Sequence, residues 1–576
     1  MKAAALGFRA GRKGAKVLNG SLCFLPNGYD RALFENEMGK FIDVVNIHAY
    51  PALAAYPGIF GGRREFAASV GEDGKAIWTT ECGTMAVGTP ALPGRNRRER
   101  RFSPGQELLL AEFFPKSQAL MMMEGVARNY FFVFGAYCED GGKKDFSVIR
   151  RDGFPAPAFA AISTANDKLA GRKLLGELDA AEGCRAFLFT APDGSETVLF
   201  WSVSPLDSAS RESPVSTAEP LCERMFRLAA PAGRYTVTDL CGTPSEQTAQ
   251  ADGLHLKATR FPAYVEGLRG LVAEKPAHAS GTARRYEAAA DEDLSVVIRA
   301  DLDKRDFLVG GIKSIAKLVR GKGRVAFDVW NLSAAPRRGT LAAFSGGALR
   351  LDREEVEIPP MGCARVKAVY VPDGEGLRTL VVRGVFGGRK TSALAIDVEP
   401  MAGFFANCEK IPLAADDPAN WMRNDSADEY ECVKADGGVK FSVRWNGDSD
   451  RWFYPRYVFA EGESATDAEF LVFEAKSAQT GGDNRYVCQN SWLDAQSGES
   501  VRRDFPPTGT DWTRYCLDLS AAENPRTGRV GFGPSAIAGF RIGGNPCGND
   551  LSFWIRNVRL IKRLRPEGRT QYGNGK

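Results

Sequence analysis

The sequence predicts a multidomain protein, with an α/β segment built on a parallel sheet followed by three strand-rich sandwich domains. Three observations carry this. At 576 residues the chain exceeds what one hydrophobic core can organise. Up to about residue 172, apolar strands alternate with helical stretches, the pattern of a parallel sheet covered by helices. From Glu182 onward the periodicity switches to two, in short runs separated by turns.

In the first segment, Ala15–Cys23 reads as a strand and Tyr29–Lys40 as a helix. Phe41–Ile47 is a second strand, closing on His48-Ala49-Tyr50-Pro51, and Arg63–Val70 is helical. After the turn Glu72-Asp73-Gly74-Lys75 comes Ala76-Ile77-Trp78-Thr79-Thr80-Glu81-Cys82-Gly83-Thr84, a β-branched and aromatic run that ends in a carboxylate with glycine behind it. Gln106–Ala127 is a long helix, Tyr130–Ala136 an all-apolar fourth strand and Ala156–Leu169 a last helix. An unpaired carboxylate on a buried strand is costly to desolvate, so Glu81 points to a use beyond structure. His48, Tyr50, Glu81 and the group Tyr137-Cys138-Glu139-Asp140 all fall at carboxyl ends of strands, where α/β folds place their active sites.

Composition excludes several classes. Net charge is +4, from 75 basic and 71 acidic residues, and the one dense basic run, Arg95–Arg101, is broken by an acid and reads as a solvated loop. No nucleic-acid partner is expected. No stretch is apolar for long enough to span a bilayer, so no membrane is expected either. Twelve cysteines lack CxxC spacing and only three histidines are present (His48, His255, His278), so neither a metal site nor a cofactor is expected. The cysteines fit reduced thiols or a few disulfides equally. Met1-Lys2-Ala3-Ala4-Ala5-Leu6-Gly7 develops no apolar region, so no signal peptide is read.

Beyond residue 172, Arg185–Phe189, Thr197–Val203, Met225–Leu228, Arg234–Leu240 and Leu254–Thr259 read as strands of a first sandwich covering 173–270. Residues 271–285 are rich in Ala, Pro, Gly and charge and read as a linker. Residues 286–400 suggest an immunoglobulin-like sandwich, a spacer, with Asn331-Leu332-Ser333 a turn and formally a glycosylation sequon. Residues 401–563 are dense in Trp and Tyr and read as a jelly roll, and 564–576 as a disordered tail. Most of those rings belong to its core; Trp452 and Tyr454, flanked by Asp448, Asp450 and Arg451, are the candidates for a sugar-stacking platform.

The first 175 residues resemble the C-terminal half of a clan A glycoside hydrolase barrel, the retaining (β/α)8 enzymes that include β-xylosidases. "DVVNIHAYP" resembles the sixth strand, "KAIWTTECGT" the seventh with its nucleophile and "YFFVFGAYCEDGG" the eighth. "FSVIRRDGFPAPAFAAISTANDKLAG" resembles the segment after strand eight, Ala3–Gly20 the end of helix four running into strand five, and "FPAYVEGL" the closing strand of the β-domain beside such barrels. "DWTRYCLDLS", "GRVGFGPSAIAGFRIGGNP" and "LSFWIRNVRLI" resemble closing strands of jelly-roll carbohydrate-binding modules.

The resemblance implies a partial TIM-type barrel (strands five to eight) in residues 1–172, plus three β-sandwich or jelly-roll domains. It implies a polysaccharide or oligosaccharide partner, Glu81 as catalytic nucleophile and His48, Tyr50, Tyr137 and Glu139 as substrate-contacting residues. It also implies an acid/base glutamate in an Asn-Glu pair on strand four, which would precede Met1. The pair Asn36-Glu37 lies in a helical stretch and does not take that role. Gly135-Ala136 replaces the family's tryptophan platform, leaving Phe134 or Tyr137 as substitutes. The expectation is a gene start placed too late, with a completing partner chain or a non-catalytic remnant as the other possibilities. Secretion or periplasmic export is expected from the resemblance. The alternative of a different class is a non-catalytic carbohydrate-binding protein.

Overall fold

A computed structural model describes residues 1–20, 22–23, 28–87, 104–135, 137–139, 144–150, 153–208, 220–303, 305–309, 315–447, 451–478, 489–494, 500–505, 508–519, 537–546 and 548–564. Arg95–Arg101, Asp140, Asp448, Asp450 and 565–576 lie outside them, as does the side chain of Glu139. The chain forms two compact units: Gly14–Phe24 with Ile42–Arg285, and Met1–Lys13 with Leu25–Phe41 and Tyr286–Lys576. Five helices of five residues or more precede residue 170 among the described residues: α1 (Lys2–Gly11), α2 (Gly28–Glu35), α3 (Tyr56–Ser69), α4 (Pro104–Met123) and α5 (Pro157–Leu169). The first two belong to the second unit.

The first unit is organised around a four-stranded sheet, β1 (Leu22–Cys23), β2 (Val45–Ala49), β3 (Ile77–Cys82) and β4 (Val126–Phe131), in that order and parallel throughout. Its two faces differ in chemistry. Ile77, Thr79 and Cys82 are buried on one face of β3, where the Thr79 hydroxyl reaches Met121 Sδ of α4 at 3.5 Å. Trp78 lies on the other, beneath the Arg128 guanidinium (4.8 Å from the ring centroid) and beside Tyr130. Those two residues explain a correction to the expected fourth strand. The sheet uses 126–131 rather than the all-apolar 130–136, because β4 alternates and turns Arg128 and Tyr130 to the polar side. Phe132 leaves the sheet to pack on Phe146 and Tyr137.

Strands of a first sandwich follow, in a seven-stranded antiparallel sheet backed by the pair Arg224–Leu228 and Leu254–Ala258. The strand Ala263–Leu268 is interior to that sheet, between Gly233–Thr238 and Glu196–Ser202. One core runs from Ile47, Phe114 and Leu120 through to Phe187, Leu199, Trp201 and Tyr264, so the α/β segment and this sandwich share their packing. Residues 271–285, expected as a linker, are instead tied along this unit. Lys275–Pro276 pairs with Gly176–Glu177, His278 N–H donates to Met123 O, and Ala76 N–H donates to Thr282 O. Gly281 makes this possible: a Cβ there would sit 2.3 Å from the Lys75 carbonyl oxygen.

The second unit holds two further sandwiches. Residues 296–400 pack a four-stranded sheet on a larger one around Val296, Phe327, Val366 and Tyr370. Asn331 is fully buried, and its amide donates to Ala335 O at 2.8 Å and Pro359 O at 3.1 Å, which removes the sequon from use in the folded chain. Asn36 and Glu37 are structural here. Asn36 exchanges hydrogen bonds with the Ala395 backbone, and Glu37 takes Arg383, Lys40 and Ala393 N–H. Burial pushes the Glu37 carboxyl up, but those donors together hold it at about 2, so it stays ionised and cannot act as a general acid.

The C-terminal sandwich, residues 408–563, pairs a six-stranded sheet with a five-stranded one in the order β5 (Trp421–Met422), β6 (Arg456–Val458), β9 (Ile537–Gly543), β7 (Gln489–Asp494) and β8 (Ser500–Asp504). Trp421, Trp445, Tyr457, Trp492 and Tyr515 are its core. Lys317, 2% exposed, donates to Glu399 and Asp518 and lies over Phe470, joining the two sandwiches.

Candidate functional site

Glu81 stands at the carboxyl end of β3, and a bulge aims it. The β2–β3 register runs Asn46↔Trp78 and Ile47↔Thr79, then skips Thr80, so that His48 faces Glu81 and Ala49 faces Cys82. Thr80 and Glu81 are therefore both half-buried, between buried Thr79 and Cys82. An unbulged strand would set His48 against Thr80 and leave the carboxylate one position further on.

The Glu81 side chain is 36% exposed, and one of its oxygens is committed. Oε2 accepts the Tyr50 hydroxyl at 2.7 Å and lies 3.1 Å from His48 Nδ1. Behind the imidazole, Nε2 meets Thr80 Oγ1 at 3.1 Å, and Thr80 Oγ1 donates to Asn46 Oδ1 at 2.8 Å. Asn46 is fixed in turn by Asn19, whose side chain takes Asn46 N–H (2.7 Å) and donates to Asn46 O (2.9 Å), supplying a rung of the sheet where β1 is interrupted. Thr80 has one hydroxyl proton for two acceptors. A neutral His48 donating to Glu81 competes with Asn46 for that proton, whereas a protonated ring satisfies every contact. Burial nevertheless pulls the His48 pKa below its ordinary value, with the Glu81 charge opposing.

A second layer holds β3 from the helix side. Asn129 of β4 accepts the Thr79 hydroxyl at 2.7 Å and the Cys82 thiol at 2.8 Å, and donates to Gln118 of α4 at 3.0 Å. Burial pushes the Cys82 thiol up to about 12 despite the Asn129 contact, so this cysteine is inert. Gly83 allows the strand end to approach its neighbour: a Cβ there would lie 2.6 Å from the Phe132 carbonyl oxygen and 3.7 Å from the Tyr50 ring.

Of the residues singled out in the sequence, the structure brings Glu81, His48 and Tyr50 into direct contact. Tyr137 joins through rings: it packs on Phe132 (4.9 Å) and Phe146 (6.2 Å), which flank Tyr50 at 6.3 Å each. Phe134 is 60% exposed and rests on Phe159. Glu139 lies on a two-residue strand paired with Lys144–Asp145. Trp452 and Tyr454 belong to the other unit, with rings nearly parallel (27°) and centroids 6.4 Å apart. The sequence reading missed Asn19, Asn46, Thr80 and Asn129; polar residues inside strands read as interruptions, and only the bulge and the pairing turn them into supports. Among the described residues, no group of three or more His, Cys, Asp or Glu side chains could hold a metal ion. None of their helices is long and apolar enough to cross a membrane.

The sequence matches no family model and no curated protein. Among solved structures the chain is similar to a family 39 glycoside hydrolase from the gut symbiont Bacteroides cellulosilyticus WH2, at 14% identity and a TM-score of 0.32, over 41% of this chain and 46% of that one. It is similar to the family 11 carbohydrate-binding module of a Clostridium thermocellum cellulosomal cellulase, at 13% identity and a TM-score of 0.22, over 27% of this chain and 96% of that one. It is also similar to an agarase, at 12% identity and a TM-score of 0.21, over 27% of this chain and 25% of that one. The match thus spans less than half of that glycoside hydrolase. At such scores these likenesses carry no argument, and the chemistry is read from the side chains.

Proposed function

We propose that this chain is a retaining glycoside hydrolase of clan A type acting on a polysaccharide or oligosaccharide, with Glu81 as nucleophile. The observation that supports this best is the asymmetric dressing of one carboxylate at the end of a parallel strand. Oε2 is occupied by Tyr50 and His48, which leaves Oε1 to attack an anomeric carbon. The two contacts hold the carboxylate in place. In this reading His48 and Tyr50, which contact Oε2, also meet sugar hydroxyls. Tyr137 extends the same aromatic wall, and Trp452 with Tyr454 offers a second sugar platform on the C-terminal sandwich. In this reading β1 to β4 are strands five to eight of a (β/α)8 barrel.

Retention requires a second carboxyl group about 5 to 5.5 Å from the first. No second carboxyl group lies within hydrogen-bond distance of Glu81 or His48 among the described residues. This reading assigns the acid/base to none of the described residues. The same observation favours the second reading, a carbohydrate-binding protein without turnover.

Hydrolysis of a panel of aryl glycosides by the whole chain separates the two. Under the enzyme reading, Glu81→Gln abolishes release while sugar binding persists, and retained activity would remove Glu81 from the nucleophile role. A chain that binds polysaccharide but turns over no glycoside supports the second reading.

A further inference from the structure

The sandwich of residues 296–400, expected as a spacer, carries an open cleft. Helices α1 and α2 are pinned at the start of its strand Leu394–Pro400. Lys2 Nζ donates to Ala393 O at 2.6 Å and to Ser392 Oγ at 3.1 Å, and Asn36 exchanges hydrogen bonds with the Ala395 backbone. Beside these anchors lies a cleft of 580 Å³, a volume within the range of small-ligand sites. Its walls are mostly apolar, with Leu33, Leu302, Leu394 and Ile396 among them.

Trp330 lines this cleft. Along its strand, Gly323–Asn331, the residues Val325, Phe327 and Val329 are buried, and Asp328 and Trp330 alternate with them on the outward face. At 42% exposure Trp330 is the most exposed of the nine tryptophans, whereas Trp201, Trp445 and Trp492 are fully buried. A lone exposed ring needs no explanation, but this one shares its cleft with exposed Tyr29 of α2 and with two carboxylates, Glu35 and Asp397. Asp397 Oδ1 accepts the Thr379 hydroxyl at 2.7 Å, and no lysine or arginine forms an ion pair with either acid among the described residues. Burial and the Asp397 charge hold the Glu35 carboxyl above its ordinary range, with the Arg31 charge opposing. Both acids thus keep acceptor oxygens that call for donors.

We infer that this cleft binds an uncharged oligosaccharide, with the Trp330 ring stacking on one face of a sugar and Glu35 and Asp397 accepting hydrogen bonds from its hydroxyls. The inference rests on reading the chain as a polysaccharide-active protein, and it adds a site on a domain that the Glu81 and Trp452–Tyr454 assignments leave unused. A pyranose has an apolar face of C–H groups that fits a flat ring, and a rim of hydroxyl donors that fits carboxylates. An acidic sugar would bring a third negative charge beside two that already oppose each other, so the cleft selects against it. The bland account is a gap left by loose packing between helices and sandwich; it predicts no sugar response at Trp330.

The test is binding of cellohexaose, xylohexaose, laminarihexaose and neoagarohexaose, with hexagalacturonate as the charged probe, to the full chain carrying Glu81→Gln to prevent turnover. Tryptophan fluorescence and calorimetric titration are the readouts. At least one neutral hexasaccharide binds, and Trp330→Ala removes part of the fluorescence change and weakens that site at least about tenfold. Glu35→Ala and Asp397→Ala each weaken it roughly three- to tenfold, and Trp330→Phe keeps part of the affinity, with unfolding temperature as the control for folding. Binding unchanged in Trp330→Ala, whether or not Trp452→Ala removes it, overturns this cleft and leaves the sugar-binding reading standing. Hexagalacturonate held at the Trp330 site as tightly as the neutral probes overturns the uncharged ligand. Binding of none of the five probes overturns the sugar-binding reading together with the inference.

Discussion

Lys116 in α4 is fully buried, and its replacement tests how the first unit is held together. Its ammonium donates to Asp207 Oδ1 at 2.9 Å and Glu112 Oε2 at 3.2 Å, while Arg260 donates to Glu112 Oε1 at 2.8 Å. The four side chains form a neutral cluster linking α4 to the first sandwich. Lys116→Met keeps an apolar stem but leaves Glu112 and Asp207 sharing one cation. Breaking a buried network from one side costs about 3–5 kcal/mol. For a unit of this size, about 2–4 °C per kcal/mol gives a fall of roughly 6–20 °C in unfolding temperature, read by circular dichroism. A pH series adds a signature. Burial already holds the Glu112 carboxyl above its ordinary range, with Lys116 and Arg260 opposing. Removing Lys116 raises it further. A carboxyl whose folded pKa is raised gains relative stability as pH falls, so the deficit of the variant should narrow toward pH 5. Adding Glu112→Gln should recover part of the loss at pH 7. A fall under about 2 °C, or a deficit that does not change with pH, would refute the reasoning.

Gly83→Ala should cost roughly 1–3 kcal/mol, because its Cβ would meet the Phe132 carbonyl oxygen at 2.6 Å and backbone cannot step aside; an unchanged midpoint in urea would contradict it. Iodoacetamide at pH 8 should label Cys241 and Cys363, which are exposed, and spare buried Cys82, with rapid native-state modification of Cys82 as the opposing result. The folded pKa of His48 lies below 6.5, so the folded state binds fewer protons as pH falls through that value. Stability from this group is complete above 6.5 and declines below it. Wild type should therefore lose more stability than His48→Asn between pH 7.5 and 5.5, and parallel profiles would exclude the effect.

The sequence made the Glu81 strand legible because a carboxylate after an apolar run is costly unless used, and the ends of β2 and β3 follow the same logic. The expected strand at 130–136 begins four residues past the observed 126–131, because apolar content and alternation point to different stretches. Arg128 and Tyr130 face the polar side of the sheet, which only its neighbours define. The bulge at Thr80 has no residue signature, yet it places His48 against Glu81. Residues 271–285 carried a linker's composition, but backbone bonds such as Ala76 N–H to Thr282 O are indifferent to side-chain type. In the C-terminal sandwich, Trp452 and Tyr454 stood out by their polar flanks. The register pairing of Arg456 in β6 with Arg541 in β9 did not, since 85 residues separate two positions that only strand order brings together.

The central claim is that Glu81 attacks an anomeric carbon. Treating the chain with 2-deoxy-2-fluoro glycosyl fluorides, then mapping the modified peptide by mass spectrometry, tests it most directly. The account predicts one glycosyl group per chain, carried by Glu81, absent from Glu81→Gln and reduced in Tyr50→Phe. A label on another carboxylate, or hydrolysis of aryl glycosides with Glu81 unlabelled, would contradict it.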